Sequence, residues 1–441
     1  MRRDGRQRWM NAGAPPANRV VGNHTQTKEQ RYQVRDARGN PADGPALALS
    51  MPSLAAHIPS VPGSGIRRIY EIAAELDGVI SLGVGEPDVP MAPHIGAAAK
   101  AAWDRDDTNY NPNGGILPLR RAIVDKLATE NGIAAEVEQV WVTIGGTQAV
   151  HLAMQLMLAA GDEVLVPDPG YTIFTMNARM LDARPVPYAL TPERGFRPSI
   201  DELETLVTPR TRVLIVNSPS NPLGAVFPRE VLEQLLDFAR RHDLWILSDE
   251  VYERFTWGEP HVSLAALDAE TAASTGGGIE RVFSAFSFSK TYAMTGIRVG
   301  YLVTPPGLAA TMRSMQEASI SCVAMPDQFA ALAAIQGDQS HVTRAAAHYR
   351  ANYASASAAL TARGIRYLEP TGAFYLWVDV AHASDGDVAA WAEHLLLHAR
   401  VAVAPGSAFG RSGEGWIRLC LAATEADLLA GIARLPEGPH R

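Results

Sequence analysis

Six short apolar runs, separated by stretches of helical periodicity, constrain this chain of 441 residues more than any other feature. The runs are Val140–Thr143, Glu163–Val166, Val213–Val216, Trp245–Ser248, Arg281–Phe288 and Val299–Val303. Helical patterns over 147–159, 171–181, 228–242 and 307–318 lie between several of them. Strands that are apolar on both faces and alternate with helices specify a largely parallel sheet covered on both sides. The expected fold class is α/β, with a mostly parallel, doubly wound sheet in a large domain over 91–320. In such sheets the reactive groups gather beyond the strand carboxyl ends.

Past residue 320 the pattern changes. A long helical stretch (339–362) precedes strand-like runs at Tyr367–Glu369 and Ala373–Val380, a helix over 387–399, two further runs at Val401–Ala404 and Trp416–Cys420, and a helix over 424–434. These predict a smaller α+β domain over 321–441. Residues 51–90, with an apolar helical stripe from Ile66 to Leu76 and a strand at Val79–Leu82, are expected to contribute to it. Residues 1–50 are rich in Arg, poor in acids and without apolar periodicity, so a disordered extension is expected there and Met51 is a second candidate start. Ser274–Gly278 reads as a flexible loop tip.

The net charge of −8 argues against a polyanion partner such as nucleic acid. Two cysteines, Cys322 and Cys420, supply neither a disulfide framework nor a zinc site, so the expected compartment is reducing and cytoplasmic. No apolar run approaches the length of about 18 residues that a membrane span needs. The nearest, Ala149–Ala160, is broken by His151 and Gln155.

Four of the apolar runs end in chemistry. Arg281–Phe288 leads into Ser289-Lys290, and eight residues later Arg298 opens the next run. An amine at the end of a buried strand is costly as a cation, which lowers its pKa and frees it to condense with an aldehyde. Arg298, with the hydroxyls of Ser287 and Ser289, offers a cradle for a phosphate. Lysine and cradle together imply pyridoxal phosphate (PLP), although a snorkelling lysine on a capped strand end gives the same letters. Val140–Thr143 leads into Gly145-Gly146-Thr147, a turn whose amides can approach an anion and whose Thr147 can cap the next helix. A plain tight turn accounts for that segment equally well.

Val213–Val216 leads into Asn217-Ser-Pro-Ser-Asn221-Pro, whose prolines predict an extended path that aims Asn221 into a cleft. Trp245–Ser248 ends in Asp249-Glu250-Val-Tyr252. A buried carboxylate there needs a cation, and a protonated pyridine nitrogen is one. Arg418, inside the apolar run Trp416–Cys420, needs either a buried salt bridge or a ligand carboxylate.

Taken together, Ser-Phe-Ser-Lys290 with Arg298, Asn221-Pro-x-Gly, Ser-Asp249-Glu-x-Tyr252 and Arg418, in that family's order, resemble the fold-type-I, class I/II PLP-dependent aminotransferases, in the bacterial aspartate-aminotransferase-like branch. The resemblance spans about residues 55–435. It implies that Lys290 holds PLP covalently and moves the proton between the substrate Cα and C4′. It also implies that Asp249 pairs with the pyridine nitrogen and that Tyr252 and Asn221 contact the phenolic oxygen. Gly145, Gly146, Thr147, Ser287, Ser289 and Arg298 would hold the phosphate. Tyr171 would stack on the ring, and Arg418 with the Gly85 backbone would take the substrate α-carboxylate. Tyr110 would reach the partner's phosphate, which implies a homodimer.

The implied reaction moves an amino group between an L-amino acid and a 2-oxo acid by a ping-pong mechanism. Alternatives on the same cofactor are β-lyase, decarboxylase or oxidase chemistry, and more remotely a PLP-sensing regulator. The chain departs from the family's pattern at two places. Leu223 stands where Thr is frequent, and Thr147 where aspartate-specific relatives carry lysine. With no second arginine evident for a side-chain carboxylate, neutral aliphatic or aromatic donors are expected alongside aspartate-like ones. Tyr171, Ile173 and Phe174 are candidate walls of an apolar pocket.

Overall fold

A computed structural model describes residues 52–258, 260–272 and 278–439. The expected extension over 1–50, the status of Met51 and all but Gly278 of the 274–278 loop tip lie outside the described residues. Contacts divide the chain into two units, Met1–Ile58 and Pro59–Arg441. In the first, the described stretch is irregular, with one turn closed by Ile58 N donating to Ala55 O.

The second unit begins with a helix, Gly65–Ala74, and a two-residue strand, β1 (Ile80–Ser81). The main sheet follows: β2 (Val140–Thr143), β3 (Glu163–Asp168), β4 (Arg184–Ala189), β5 (Thr211–Asn217), β6 (Trp245–Asp249), β7 (Val282–Ser287) and β8 (Gly300–Val303). Their order across the sheet is β2-β8-β7-β6-β5-β3-β4, with β8 antiparallel to both neighbours and the other pairs parallel. All six apolar runs became strands of this sheet. The central strands are buried on both faces, and Val213, Leu214, Ile215, Ile246 and Leu247 are fully inaccessible. One strand, β4, was not expected. Pro185 and Pro187 argue against a central strand, but β4 lies at the sheet edge, where a missing N–H costs no ladder bond.

Five more strands complete the unit: β9 (Tyr367–Leu368), β10 (Tyr375–Asp379), then β11 (Val401–Ala402) and β12 (Ala404–Pro405), and finally β13 (Trp416–Cys420). The last is paired antiparallel with both β10 and β12 in a small sheet. In the β10/β13 register Tyr375 faces Cys420 and Trp377 faces Arg418, so Tyr375 and Arg418 are diagonal neighbours on one face. The early segment is stitched to these strands: β1 pairs parallel with β11, and Cys420 N donates to Leu82 O.

Gly300 shows how closely the two ends of the main sheet meet. A Cβ there would fall 2.6–2.7 Å from the backbone of Gly145, Gly146 and Phe286. Only glycine lets the turn after β2 lie on β8, and that contact brings Gly145 and Gly146 beside the carboxyl end of β7.

Candidate active site

A cavity of about 540 Å³ opens at the carboxyl ends of β5, β6 and β7, walled on the other side by β10, β13 and the 83–86 loop. Of the candidate residues, all but Gly145, Phe174 and Tyr110 line it. Gly145 stands directly behind the wall. Its φ is +68°, and a Cβ on it would lie 2.6 Å from Arg298 Nη2. Tyr110 lies elsewhere, 90% exposed on its loop.

Lys290 is placed by a short helix, Phe288–Thr291, whose first residue follows β7 directly. Ser287 caps that helix by accepting from Ser289 N at 3.1 Å, and Lys290 Nζ donates to Gly85 O at 2.6 Å. The side chain reaches the cavity, yet protein surrounds its amine, and burial lowers its pKa to about 8. Arg298 takes a left-handed conformation (φ 62°) and donates to Thr295 O at 2.9 Å and Ser289 Oγ at 3.5 Å. Thr147 lines the cavity but does not cap the helix as expected. The helix Gly145–Met157 starts two residues earlier, with Ile144 at the cap, because Gly145 itself supplies the turn.

The acid pair after β6 splits. Glu250, fully buried, accepts from Ser248 Oγ (2.8 Å), Ser263 Oγ (3.0 Å) and Ser284 Oγ (3.0 Å), and pairs with His261 Nε2 (2.8 Å). Asp249 lines the cavity and is 3% exposed. Its carboxylate accepts from Val251 N at 3.3 Å, and no cation pairs with it among the described residues. Burial pushes its pKa up to about 7; the Val251 N–H opposes the rise and the Glu250 charge adds to it.

The path to Asn221 is a tight turn rather than the expected extended one. Ser218–Pro219 and Asn221–Pro222 are cis, and Gly224 N closes the turn on Ser220 O at 2.9 Å. Asn221 Oδ1 accepts from Arg418 Nη1 at 2.7 Å, while Arg418 Nη2 donates to Gly83 O at 2.6 Å. The guanidinium lies over the rings of Tyr375 (4.3 Å) and Phe409 (5.0 Å), and its buried Nε has no hydrogen-bond partner. A buried cation with an unused donor and no carboxylate beside it is suited to a ligand anion. Tyr252 and Tyr171 complete the walls. The Tyr252 phenol lies 2.6 Å from that of Tyr375, and Tyr171 meets Phe174 edge-on. Ile173 faces the cavity, whereas Phe174 is buried in the main core.

Tyr375 and Arg67 are among the cavity residues not singled out from sequence. Tyr375 sits in an apolar run whose letters give no sign of which face meets the cavity. Arg67, on the first turn of the helix Gly65–Ala74, lines the outer wall and pairs with Glu71 at 3.3 Å. It is a second arginine, and an amphipathic helix leaves its polar face unread by periodicity alone.

These residues fit PLP. The set contains an amine of lowered pKa, a buried carboxyl without a cation, and hydroxyls and a guanidinium around a glycine turn. The fit has a cost in the protein stripped of small molecules. A free aspartate carboxyl titrates near 3.8, so a folded value of about 7 means folding is penalised as pH rises from 3.8, fully so above 7. Asp249→Asn is therefore expected to raise the melting temperature of stripped protein at pH 8, by on the order of a few degrees, and to leave it nearly unchanged at pH 4. Scanning calorimetry at both pH values checks this, and an equal change at the two would contradict it.

The family model for aminotransferase class I and II matches residues 77–435. The aromatic-amino-acid aminotransferase 2 of Thermococcus litoralis is 36% identical, over 87% of this chain and 97% of the relative's own length. The aspartate aminotransferase of Pyrococcus abyssi is also 36% identical, over 84% and 94% of the two chains. Among solved structures, the Thermus thermophilus aspartate aminotransferase with maleate superimposes with a TM-score of 0.81 at 34% identity, covering 87% of this chain and 99% of that one.

Proposed function

This chain belongs to the class I and II aminotransferases, PLP-dependent enzymes that transfer an amino group between an amino acid and a 2-oxo acid, and on that premise we propose how its own residues divide the work. The observation that carries the assignment is the meeting of Lys290, Asp249, Arg298 and Arg418 on one cavity. When bound, PLP supplies an electron sink for the bonds at the substrate Cα.

Ser287, Ser289, Arg298 and the amides of Gly145, Gly146 and Thr147 would hold the phosphate, and Tyr171 would pack on the ring. Asp249 would give its charge to the pyridine nitrogen, a partner that would offset the burial raising its pKa. Tyr252 and Asn221 would contact the phenolic oxygen. Arg418 and the Gly85 N–H take the substrate α-carboxylate, the arginine already held in plane by Asn221, Gly83 and two aromatic rings. Lys290 would anchor the cofactor and, as the free amine, would carry the proton at the substrate Cα. Its pKa of about 8 keeps an unprotonated fraction available near neutral pH.

The outer cavity is lined by Ile66, Tyr70, Val84, Val150 and Ile173, with Arg67 on the same wall. We infer aromatic and large neutral amino acids as donors, with acidic ones accepted through Arg67. A panel of amino acids, followed by conversion of the bound cofactor's absorption and by pyridoxamine phosphate formation, tests this. Release of carbon dioxide, ammonia or peroxide in place of pyridoxamine phosphate would contradict transamination.

We further propose a homodimer, in a cytoplasmic setting, with a PLP-binding domain over 91–320 and a small domain built from 51–90 and 321–441. The parallel pairing of β1 with β11 supports the last. No helix among the described residues is long and apolar enough to cross a membrane. Tyr110, Trp103 and Leu117 are exposed on neighbouring segments, and a second copy covering them would carry Tyr110 to its phosphate. Tyr110→Phe is expected to weaken PLP retention by about tenfold, the worth of one hydrogen bond to a charged group. Unchanged affinity in fluorescence titration would count against the shared site.

A further inference from the structure

The phenol oxygens of Tyr252 and Tyr375 lie 2.6 Å apart, and both side chains are buried in the cavity wall. Two hydroxyls joined by one hydrogen bond carry two protons, of which the bond uses one. Among the described residues neither oxygen has another hydrogen-bond partner. Whichever phenol accepts therefore keeps a proton to give elsewhere.

The surroundings decide the direction. The Arg418 guanidinium lies over the Tyr375 ring at 4.3 Å, whereas among the described residues no cation lies over the Tyr252 ring, which packs edge-on to Phe374 and Tyr375 at 5.3 and 5.5 Å. A cation against a phenol stabilises its phenolate and so makes its O–H the better donor. The Tyr375 oxygen also packs against Gly85, where a Cβ would fall 2.1 Å from it.

We propose that Tyr375 is a positioning residue: its hydroxyl donates to Tyr252 and so turns the Tyr252 proton into the cavity, toward the phenolic oxygen of the cofactor. The inference rests on the role given to Tyr252 in the proposed function. It assigns separate tasks to the two parts of one side chain, since the hydroxyl orders the phenol pair while the ring, with Phe409, holds Arg418 in plane. Tyr375 thereby ties the phenolic-oxygen contact to the carboxylate anchor, from a strand of the small sheet.

The test is a pH titration of the visible absorption of PLP-loaded wild type, Tyr375→Phe, Tyr252→Phe and the double variant. A Tyr252 proton directed at the phenolic oxygen favours that oxygen's deprotonated form. Losing the direction should therefore move the transition to higher pH. Tyr375→Phe, which removes one oxygen and keeps the ring, is expected to raise the midpoint by about half to one pH unit. In the Tyr252→Phe background it is expected to add almost nothing.

Steady-state kinetics separate the ring. Tyr375→Phe keeps KM for the amino donor, and Tyr375→Leu raises it roughly tenfold by exposing one face of Arg418. A Tyr375→Phe midpoint equal to wild type, or a shift fully additive with that of Tyr252→Phe, would overturn the inference. A wild type whose bound absorption shows no transition at all would overturn the assignment of Tyr252 itself, and this inference with it.

Discussion

Lys290→Ala is expected to reduce transamination by on the order of 10⁴-fold or more, with circular dichroism and oligomeric state unchanged. The size follows from the two proposed tasks of one amine, anchoring the cofactor and then carrying the proton at Cα; among the described residues no other lysine lines the cavity to share them. Lys126, another buried lysine, is taken up by an ion pair with Glu253 and the Asn131 side chain. The fold is expected to survive because Lys290 contributes little to it. Its amine makes one hydrogen bond, to Gly85 O, and burial disfavours its charged form below its pKa of about 8. Retention of more than about a hundredth of the activity, within the range of ordinary acid–base contributions, would show that another group moves the proton.

Asp249→Asn is expected to lower kcat by about 10²–10³-fold, the range found when a charge-stabilising group is removed from an enclosed site. The amide is nearly the same size, so the proposed binding of substrate through Arg418 and of phosphate through Arg298 is expected to be retained, and KM to change little. The same substitution is expected to stabilise the stripped protein at pH 8. Activity and stability thus move in opposite directions, which separates a catalytic role from damage to the fold. A parallel fall in both would point to a structural role for Asp249 within the β6 terminus.

How much of this was legible in the sequence depends on what kind of constraint each residue obeys. The central strands were visible because burial on both faces demands unbroken apolar runs, as in Val213–Val216. The edge strand β4 was not visible, since only its position excuses Pro185 and Pro187. Charged groups at strand ends, such as Asp249, Lys290 and Arg418, stand out because burying them is costly and demands a reason. Tyr375 carries no such mark: a tyrosine between Phe374 and Leu376 is equally at home in a core, and only the β10/β13 register puts it against Arg418. The turn at Asn221 and the true start of the helix at Gly145 depend on backbone conformations at single residues, which periodicity does not report. Tyr110 is a different case, because its partner would be another copy of the chain.

The most direct measurement uses a property of the composition. The chain has only four lysines, Lys28, Lys100, Lys126 and Lys290. Purified protein is incubated with PLP, reduced with borohydride, digested and weighed peptide by peptide. One cofactor-derived mass increment per chain, on the peptide containing Lys290, is the predicted result. Protein that stays colourless and unlabelled, or a label on the exposed Lys100 instead, would contradict the placement of the reactive amine on which every assigned role depends.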